Sequence, residues 1–388
     1  MSMEREWSRE MFRMSCERAI SRREFLRSAA GTGTAAAIFF ASPLRAAALP
    51  PAPKTIVVTF GGGARDEETF APEGQRYIPR LLEELAPQAT FYTQVVNRGI
   101  LGHYVANAGL ATGCYETFDN FMPIAPSNPT IFEYYRQDRQ RPASDVWVIA
   151  PSNGFDHIGE SNHRLYGRGL GATVVLPKQL LTLANHHAVT DYDQLLRDNY
   201  ESPIASPLTA KRQDSLHGMA ELMKLSMDDF LAHARKSQSP DELSLYIAQH
   251  VMQTVAPSLL WITLHDIDIA HSGAFSLYTE AITRTDRICA DLWKTVQCSP
   301  EYARKTNLFI LPDFGRDSDM SPGGNGFQHH RTGDALSRTT WLMAMGPNIR
   351  QNVTVDRPVQ SVDLVPTLAH LLGCNARFSR GNLLTEVL

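Results

Sequence analysis

The chain has 388 residues, of which 43% are hydrophobic and 20% charged, enough to bury a substantial globular core. Its formal net charge of -4, with no basic tract beyond residue 48, argues against nucleic acid or an anionic membrane surface as a partner. Beyond residue 48 no apolar run approaches the ~20 residues that a membrane span needs.

In chain order, the first informative run is Ser21-Arg22-Arg23-Glu24-Phe25-Leu26-Arg27, followed by a weakly apolar alanine- and glycine-rich stretch from Ala29 to Ala41. Small residues at Ala46, Ala47 and Ala48 offer a cleavage site. The arrangement resembles a twin-arginine export signal occupying residues 1–48, which would leave 49–388 as the mature domain. That resemblance implies a bacterial, periplasmic or otherwise exported protein, handled by the twin-arginine machinery, with no membrane association once mature. The same route carries folded proteins, often with a metal or cofactor inside. A retained N-terminal anchor is the alternative.

Thr55–Phe60 is a short continuous apolar run that opens into Gly61-Gly62-Gly63, the pattern of a buried parallel strand. A helix is predicted from Arg76 to Leu85 and a strand from Ala89 to Val95. Val146–Ala150, Ala172–Leu176, Leu259–Leu264 and Leu308–Leu311 read as further strands. Between the last two lies an amphipathic helix over Gly273–Val296, with Leu277, Ala281, Ile288 and Leu292 near helical spacing. Thr339–Met345 is a late strand, and Ser361 is read as the cap of a helix through Leu372, closed by Gly373. This alternation predicts an α/β fold: a doubly wound, mostly parallel sheet with helices on both faces. Residues 178–238 break the rhythm, being polar and without clear strands, and read as a helical insertion over the sheet's edge. Cys114, Cys289, Cys298 and Cys374 permit two disulfides, with unpaired buried thiols as the alternative.

In such a sheet the active site forms beyond the carboxyl ends of the strands. One strand runs into His265-Asp266-Ile267-Asp268-Ile269-Ala270-His271, another into Asp313-Phe314-Gly315-Arg316, and a later loop presents His329-His330-Arg331. Carboxylates and imidazoles converging from separate loops suit a borderline divalent ion such as zinc or manganese.

From Pro53 to Cys374 these motifs together resemble the alkaline phosphatase superfamily, which includes sulfatases, phosphodiesterases and cofactor-independent phosphoglycerate mutases. Asp268-Ile-Ala-His271-Ser-Gly, followed by a long helix with Thr285-Asp286-Arg287, is similar to the mutase branch's Asp…Gly-His-Thr-Gly. Asp313-Phe314-Gly315 is similar to the superfamily's Asp-His-Gly turn, and His330 falls where a late metal-binding histidine is expected. Val362-Asp363-Leu-Val-Pro366-Thr367-Leu is similar to the closing Val-Asp-Leu-Ala-Pro-Thr-Leu of sulfatases. The resemblance implies Asp268, His271, Asp313 and His330 as metal ligands, and phosphate or sulfate esters of small molecules or glycans as substrates.

The chain departs from the family at several positions. Asp268 precedes His271 by three residues where the pattern has four, which makes Asp266 a rival ligand. Gly61 stands where the family carries a carboxylate, and Phe314 where it carries a histidine. Between Arg98 and Ala111 there is no Ser, Thr or Cys to act as nucleophile, which leaves His103 as the side chain of that helix start able to attack, shuttle a proton or bind a metal, the alternative being a histidine that hydrogen-bonds nearby backbone. Thr93 lies on the neighbouring strand, early for the role. Arg65, Arg316 and Arg331 are candidate clamps for an anionic substrate, and Asp66, Glu67 or Glu68 candidate replacement ligands. The reading is a metal-dependent hydrolase working through a metal-bound water, with His103 as its base or as a replacement metal ligand. The rival is a superfamily member that binds a metal or anionic ligand without turnover.

Overall fold

The computed structural model describes residues 53–122, 124–184, 195, 210–320 and 324–388. The export-signal reading at 1–48 lies outside them, as does part of 178–238.

Strand β1 (Lys54–Phe60) forms the centre of the sheet, every residue of it buried. It pairs in parallel with β5 (Leu259–Leu264) and β6 (Thr306–Pro312). Beyond β5 lie β3 (Val146–Ile149) and β4 (Thr173–Val175), also parallel. On the other flank β7 (Thr339–Met345) runs antiparallel to both β6 and β2 (Ala89–Val96), and the short β8 (Val353–Val355) and β9 (Val359–Gln360) pair in parallel with β2. The order β4-β3-β5-β1-β6-β7-β2-β8 gives the mostly parallel sheet that the alternating apolar runs predict.

Period-two alternation sends side chains to both faces, and both are covered. Ile56, Val58, Leu260, Ile262, Leu308 and Ile310 join one core layer. Val57, Leu259, Trp261, Phe309 and Leu311 join the other. Helices α1 (His103–Thr112), α2 (Ile131–Arg139) and α9 (Leu364–Leu372) lie on the second face. The first face carries α6 (Pro240–Thr254) and α7 (Phe275–Cys298), together with α3 (Pro177–Ala184), α4 (Ala210–Met223) and α5 (Met227–Ala234) of the 178–238 region. Those three bury Leu180, Leu181, Leu216, Met223 and Phe230 in the first layer, and α8 (Ala335–Arg338) leads into β7.

Several local expectations change. The predicted 76–85 helix is broken by Pro79 into a 3₁₀ turn, Gln75–Tyr77, and a π-helical turn, Leu81–Leu85. Buried Asp286 of α7 accepts the Leu81 and Arg80 amides, at 2.7 and 3.2 Å. Ser361 does not cap the last helix; it opens a 3₁₀ turn, and Asp363 accepts the Gln360 amide at 2.8 Å. Two capped helices escaped the sequence reading: Thr130 with Glu133 forms a capping box on α2, and Ser239-Pro240 opens α6. The four described cysteines are free thiols, so no disulfide forms among the described residues. No helix of the described residues is long and apolar enough to cross a membrane.

Candidate metal and catalytic site

β5, β1 and β6 end level with one another, Phe60 pairing with both Leu264 and Pro312. The chain stays locked just past this edge: the Gly61 amide donates to Leu264 O at 2.6 Å and the Asp313 amide to Phe60 O at 2.9 Å. Because β7 is antiparallel to β6, the loop between them leaves and returns at the same edge, delivering His330. β2 runs out at that edge too, and α1 follows with His103 as its first residue. Four separate pieces of chain therefore meet beyond the strand ends.

They bring together His103, Asp268, His271 and His330, whose ligand atoms all lie within 4.8 Å of one another. Residues 266–272 form a 3₁₀ turn, in which side chains three apart eclipse. The three-residue spacing thereby places His271 Nε2 3.1 Å from Asp268 Oδ1. Asp266, the rival ligand, turns away to Arg284 at 3.1 Å. His330 Nε2 is 2.9 Å from His271 Nε2, while its Nδ1 lies 3.0 Å from Leu101 O. A carbonyl can only accept, so Nδ1 carries the hydrogen and Nε2 presents its lone pair, the second-sphere arrangement that orients ligating histidines. Burial, reinforced by the charges of His103 and Arg316, pushes His330 down to about 2 and keeps it neutral. Two imidazole nitrogens and a carboxylate oxygen so disposed fit a borderline divalent ion.

His103 bridges two carboxylates. Its Nδ1 lies 2.8 Å from Asp313 Oδ2 and its Nε2 3.1 Å from Asp268 Oδ1. Burial opposes a charged imidazole, but Asp268 and then Asp313 outweigh it and raise His103 to about 10. Burial would also raise Asp268, yet the facing His103 holds it well below the usual carboxylate range. Asp313, with no exposure, is raised by burial despite the same partner. Asp313 thus stands behind His103, outside the four-residue cluster, and also accepts from Asn107 Nδ2 at 3.2 Å. Phe314 stacks on the imidazole, centroids 4.8 Å apart and planes 21° apart.

The candidate clamps are placed differently. Arg316 is buried, donating from Nη2 to Asp268 Oδ1 at 2.9 Å and from Nε to Gly63 O at 2.7 Å. Its Nη1 makes no hydrogen bond among the described residues. Arg65 is engaged by Glu68 through Nε at 2.9 Å and by Asp319 through Nη1 at 2.7 Å, so Glu68 serves as its buried partner. Asp66 and Glu67 sit in the 3₁₀ turn beside it, and none of the three is in the cluster. Arg331 keeps 43% of its side chain exposed while pairing with Asp317 at 2.9 Å. Thr93 donates to Asp356 at 2.6 Å, far along the sheet from β5.

Two residues of the site have no role in the sequence reading, although His265 stands in the strand-end run quoted there. His265 is buried with its ring centroid 5.2 Å from that of His103, and its Nε2 is 3.5 Å from Asp268 Oδ2. A Cβ at Gly61 would meet His265 Cδ2 at 2.8 Å, so the imidazole takes the space that a side chain there would need. Gly62, at φ 102°, then lets the loop pass Asp268, and its amide reaches Asp313 Oδ1 at 3.4 Å. Asn120 Oδ1 accepts the Tyr104 amide at 2.9 Å and the Val105 amide at 3.4 Å, capping α1 from a loop sixteen residues on. Position beside a strand end was the available signal for His265; nothing local marks Asn120.

No family model matches the chain, and no curated protein sequence does. Solved structures do. The chain is similar to a phosphonate monoester hydrolase from Silicibacter pomeroyi, at 13% identity over 86% of this chain and 76% of that one, with a TM-score of 0.55. It is similar to a candidate sulfatase from Bacteroides thetaiotaomicron at 12% identity over 86% and 74%, with a TM-score of 0.50. A protein in the alkaline phosphatase superfamily from Vibrio parahaemolyticus matches at 13% identity over 87% and 71%, with a TM-score of 0.48. At these identities the likeness is one of fold: the mostly parallel, doubly wound sheet is shared with the phosphonate monoester hydrolase and the candidate sulfatase.

Proposed function

We propose that this protein is an exported hydrolase of phosphate or sulfate esters that uses one divalent ion, zinc or manganese, held by Asp268, His271 and His330. The observation that carries the reading is a three-donor cluster with His103 beside it, pinned at Nδ1 by Asp313. Three protein ligands leave a coordination position open, as catalytic zinc sites do. The ion, when bound, supplies Lewis-acid polarisation of an ester oxygen. His103 Nε2 is the atom that gives or takes the proton, its imidazole oriented by Asp313 and shielded from water by Phe314. Arg316 holds Asp268 in place from a fully buried position. Exposed Arg331 offers a peripheral contact for an anionic substrate.

A single ion is favoured because the His103 ring occupies the space between Asp268 and Asp313, against Phe314, which cannot coordinate. Export rests on the twin-arginine resemblance of residues 1–48 and on nothing in the folded domain.

A second reading has its own observation. His103 Nε2 is itself within the four-donor cluster. If it ligates, the set is closed in the manner of structural zinc sites, and the protein binds an ion without turnover. Elemental analysis of purified protein, followed by aryl phosphate, phosphonate and sulfate esters with and without chelator, separates the two. Metal-dependent turnover of any ester class, with one ion per chain, supports the hydrolase. A bound ion with no turnover across the panel replaces it with the binding protein.

A further inference from the structure

Asp241 is fully buried on the first turn of α6 and belongs to no part of the site described above. Its two oxygens accept the two successive amides that follow β5, His265 N at Oδ1 and Asp266 N at Oδ2, each at 2.8 Å. These amides sit at the joint between a strand held on both sides and the 3₁₀ turn that carries Asp268 and His271. The Asp268 amide bonds back to His265 O at 3.1 Å, so the path of residue 265 sets where the ligand turn begins. Asp241 is itself held rigidly. Ser239 caps the helix, and Leu243, Ile247 and Val251 anchor it in the core. Behind it Asp266 is tied to Arg284. Two parallel N–H donors require two acceptors on one side chain, which a carboxylate supplies and a carboxamide does not.

We propose that Asp241 is a positioning residue for the ion site: by gripping the His265 and Asp266 amides it fixes the turn that brings Asp268 and His271 to bear on one point. The proposal rests on the reading that the cluster holds an ion. Ligand-orienting contacts of this kind are worth about 10–100-fold in metal affinity.

Asp286 supplies the control, because it too is a buried carboxylate accepting two successive backbone amides, from Arg80 and Leu81, and it holds a turn that carries no ligand. Calorimetric titration of chelator-treated full chain with Zn²⁺ alone should show Asp241→Asn binding about 10–100-fold more weakly than wild type. Asp286→Asn should lose far less affinity whatever it costs in thermal stability. In the wild-type chain, hydrogen exchange at the His265 and Asp266 amides should slow when Zn²⁺ is added, since coupling between ion and turn is reciprocal. Unchanged affinity in Asp241→Asn, or an equal loss in Asp286→Asn, overturns the proposal. Should Asp241→Asn fail to fold, the wild-type exchange decides, and amides indifferent to a bound ion overturn it. Wild-type protein that takes up no Zn²⁺ removes the site reading and this proposal together. Wild-type uptake with an indifferent Asp241→Asn removes the proposal alone.

Discussion

Two halves of one strand-end site make opposite use of similar residues. On the β5 side, Asp268 meets His103, His271, His265 and Arg316, and its carboxyl is held well below the usual range. On the β6 side, Asp313 meets His103, two amide donors and an aromatic neighbour, and burial raises it. One half is a set of donors that could hold a cation; the other is filled by an imidazole. The contrast teaches that a carboxylate's role at this edge is decided by what faces it, not by its place at the end of a strand. Gly61 and Phe314 belong to the same contrast, because a residue without a Cβ and a ring without a donor are what allow His265 and His103 to occupy that corner.

The largest effect is expected from the residue shared by the two halves. His103→Ala leaves Asp268 and Asp313 buried without their common partner, a loss of about 3–5 kcal/mol when one member of a buried charged pair is removed. Turnover should fall by roughly 10²–10⁴-fold, the usual worth of a positioned acid–base group. Chemical denaturation and steady-state rates on one ester check both, and a variant as active as wild type would take catalysis away from the bridge.

His271→Ala attacks the donor half alone. It should abolish stoichiometric ion uptake and the stabilisation by added ion, about 2.7 kcal/mol at a hundredfold excess over Kd. Melting with and without Zn²⁺ reads this directly. Ion uptake that survives would move the site away from His271 and His330.

The two halves also predict a stability profile for chelator-treated protein. His103 is raised from 6.5 to about 10, so its contribution is complete below about pH 6.5 and fades as pH climbs toward 10. Asp268 is depressed, so its contribution is present above its ordinary 3.8 and fades as pH falls through its folded value. His330 stays neutral down to about 2, so acid below 6.5 favours the unfolded chain, which takes up the proton that the folded one refuses. Urea midpoints should therefore peak near pH 6–7 and fall on both flanks. A midpoint flat from pH 7 to 10 would show that His103 is not held as an imidazolium.

Restoring the family's carboxylate tests whether the filled half can be reopened. Gly61→Asp must displace His265, whose Cδ2 a Cβ would meet at 2.8 Å, at about 1–3 kcal/mol for overpacking. It should gain no second equivalent of ion, because His103 still lies between Asp268 and Asp313; elemental analysis checks this. The smallest effect belongs to Arg331→Ala: its side chain is 43% exposed, and buried Asp317 keeps the Arg331 amide and the Ser337 hydroxyl as donors, so the loss should stay at about 1 kcal/mol. Thermal stability should barely move while KM for an anionic ester rises.

The sequence by itself determined the apolar strands β1, β5, β6 and β7, because a strand buried on both faces writes its own continuous run. It determined the long α7 through helical spacing, and the residue types at the strand ends, which carry most of the site. It misjudged 76–85, where Pro79 overrides apolar content, and it missed α2 and α6, whose cap signals were present. Only tertiary structure decided the rest. The antiparallel placement of β7 brings His330 back to the edge that holds His271, 59 residues apart in the chain. The 3₁₀ form of 266–272 makes a three-residue spacing serviceable. The partners of His103 lie 165 and 210 residues away, and those of Asp241 more than twenty. Residue types and local periods are written in neighbouring positions; which carboxylate faces an imidazole depends on sheet register and strand direction, which no local window contains.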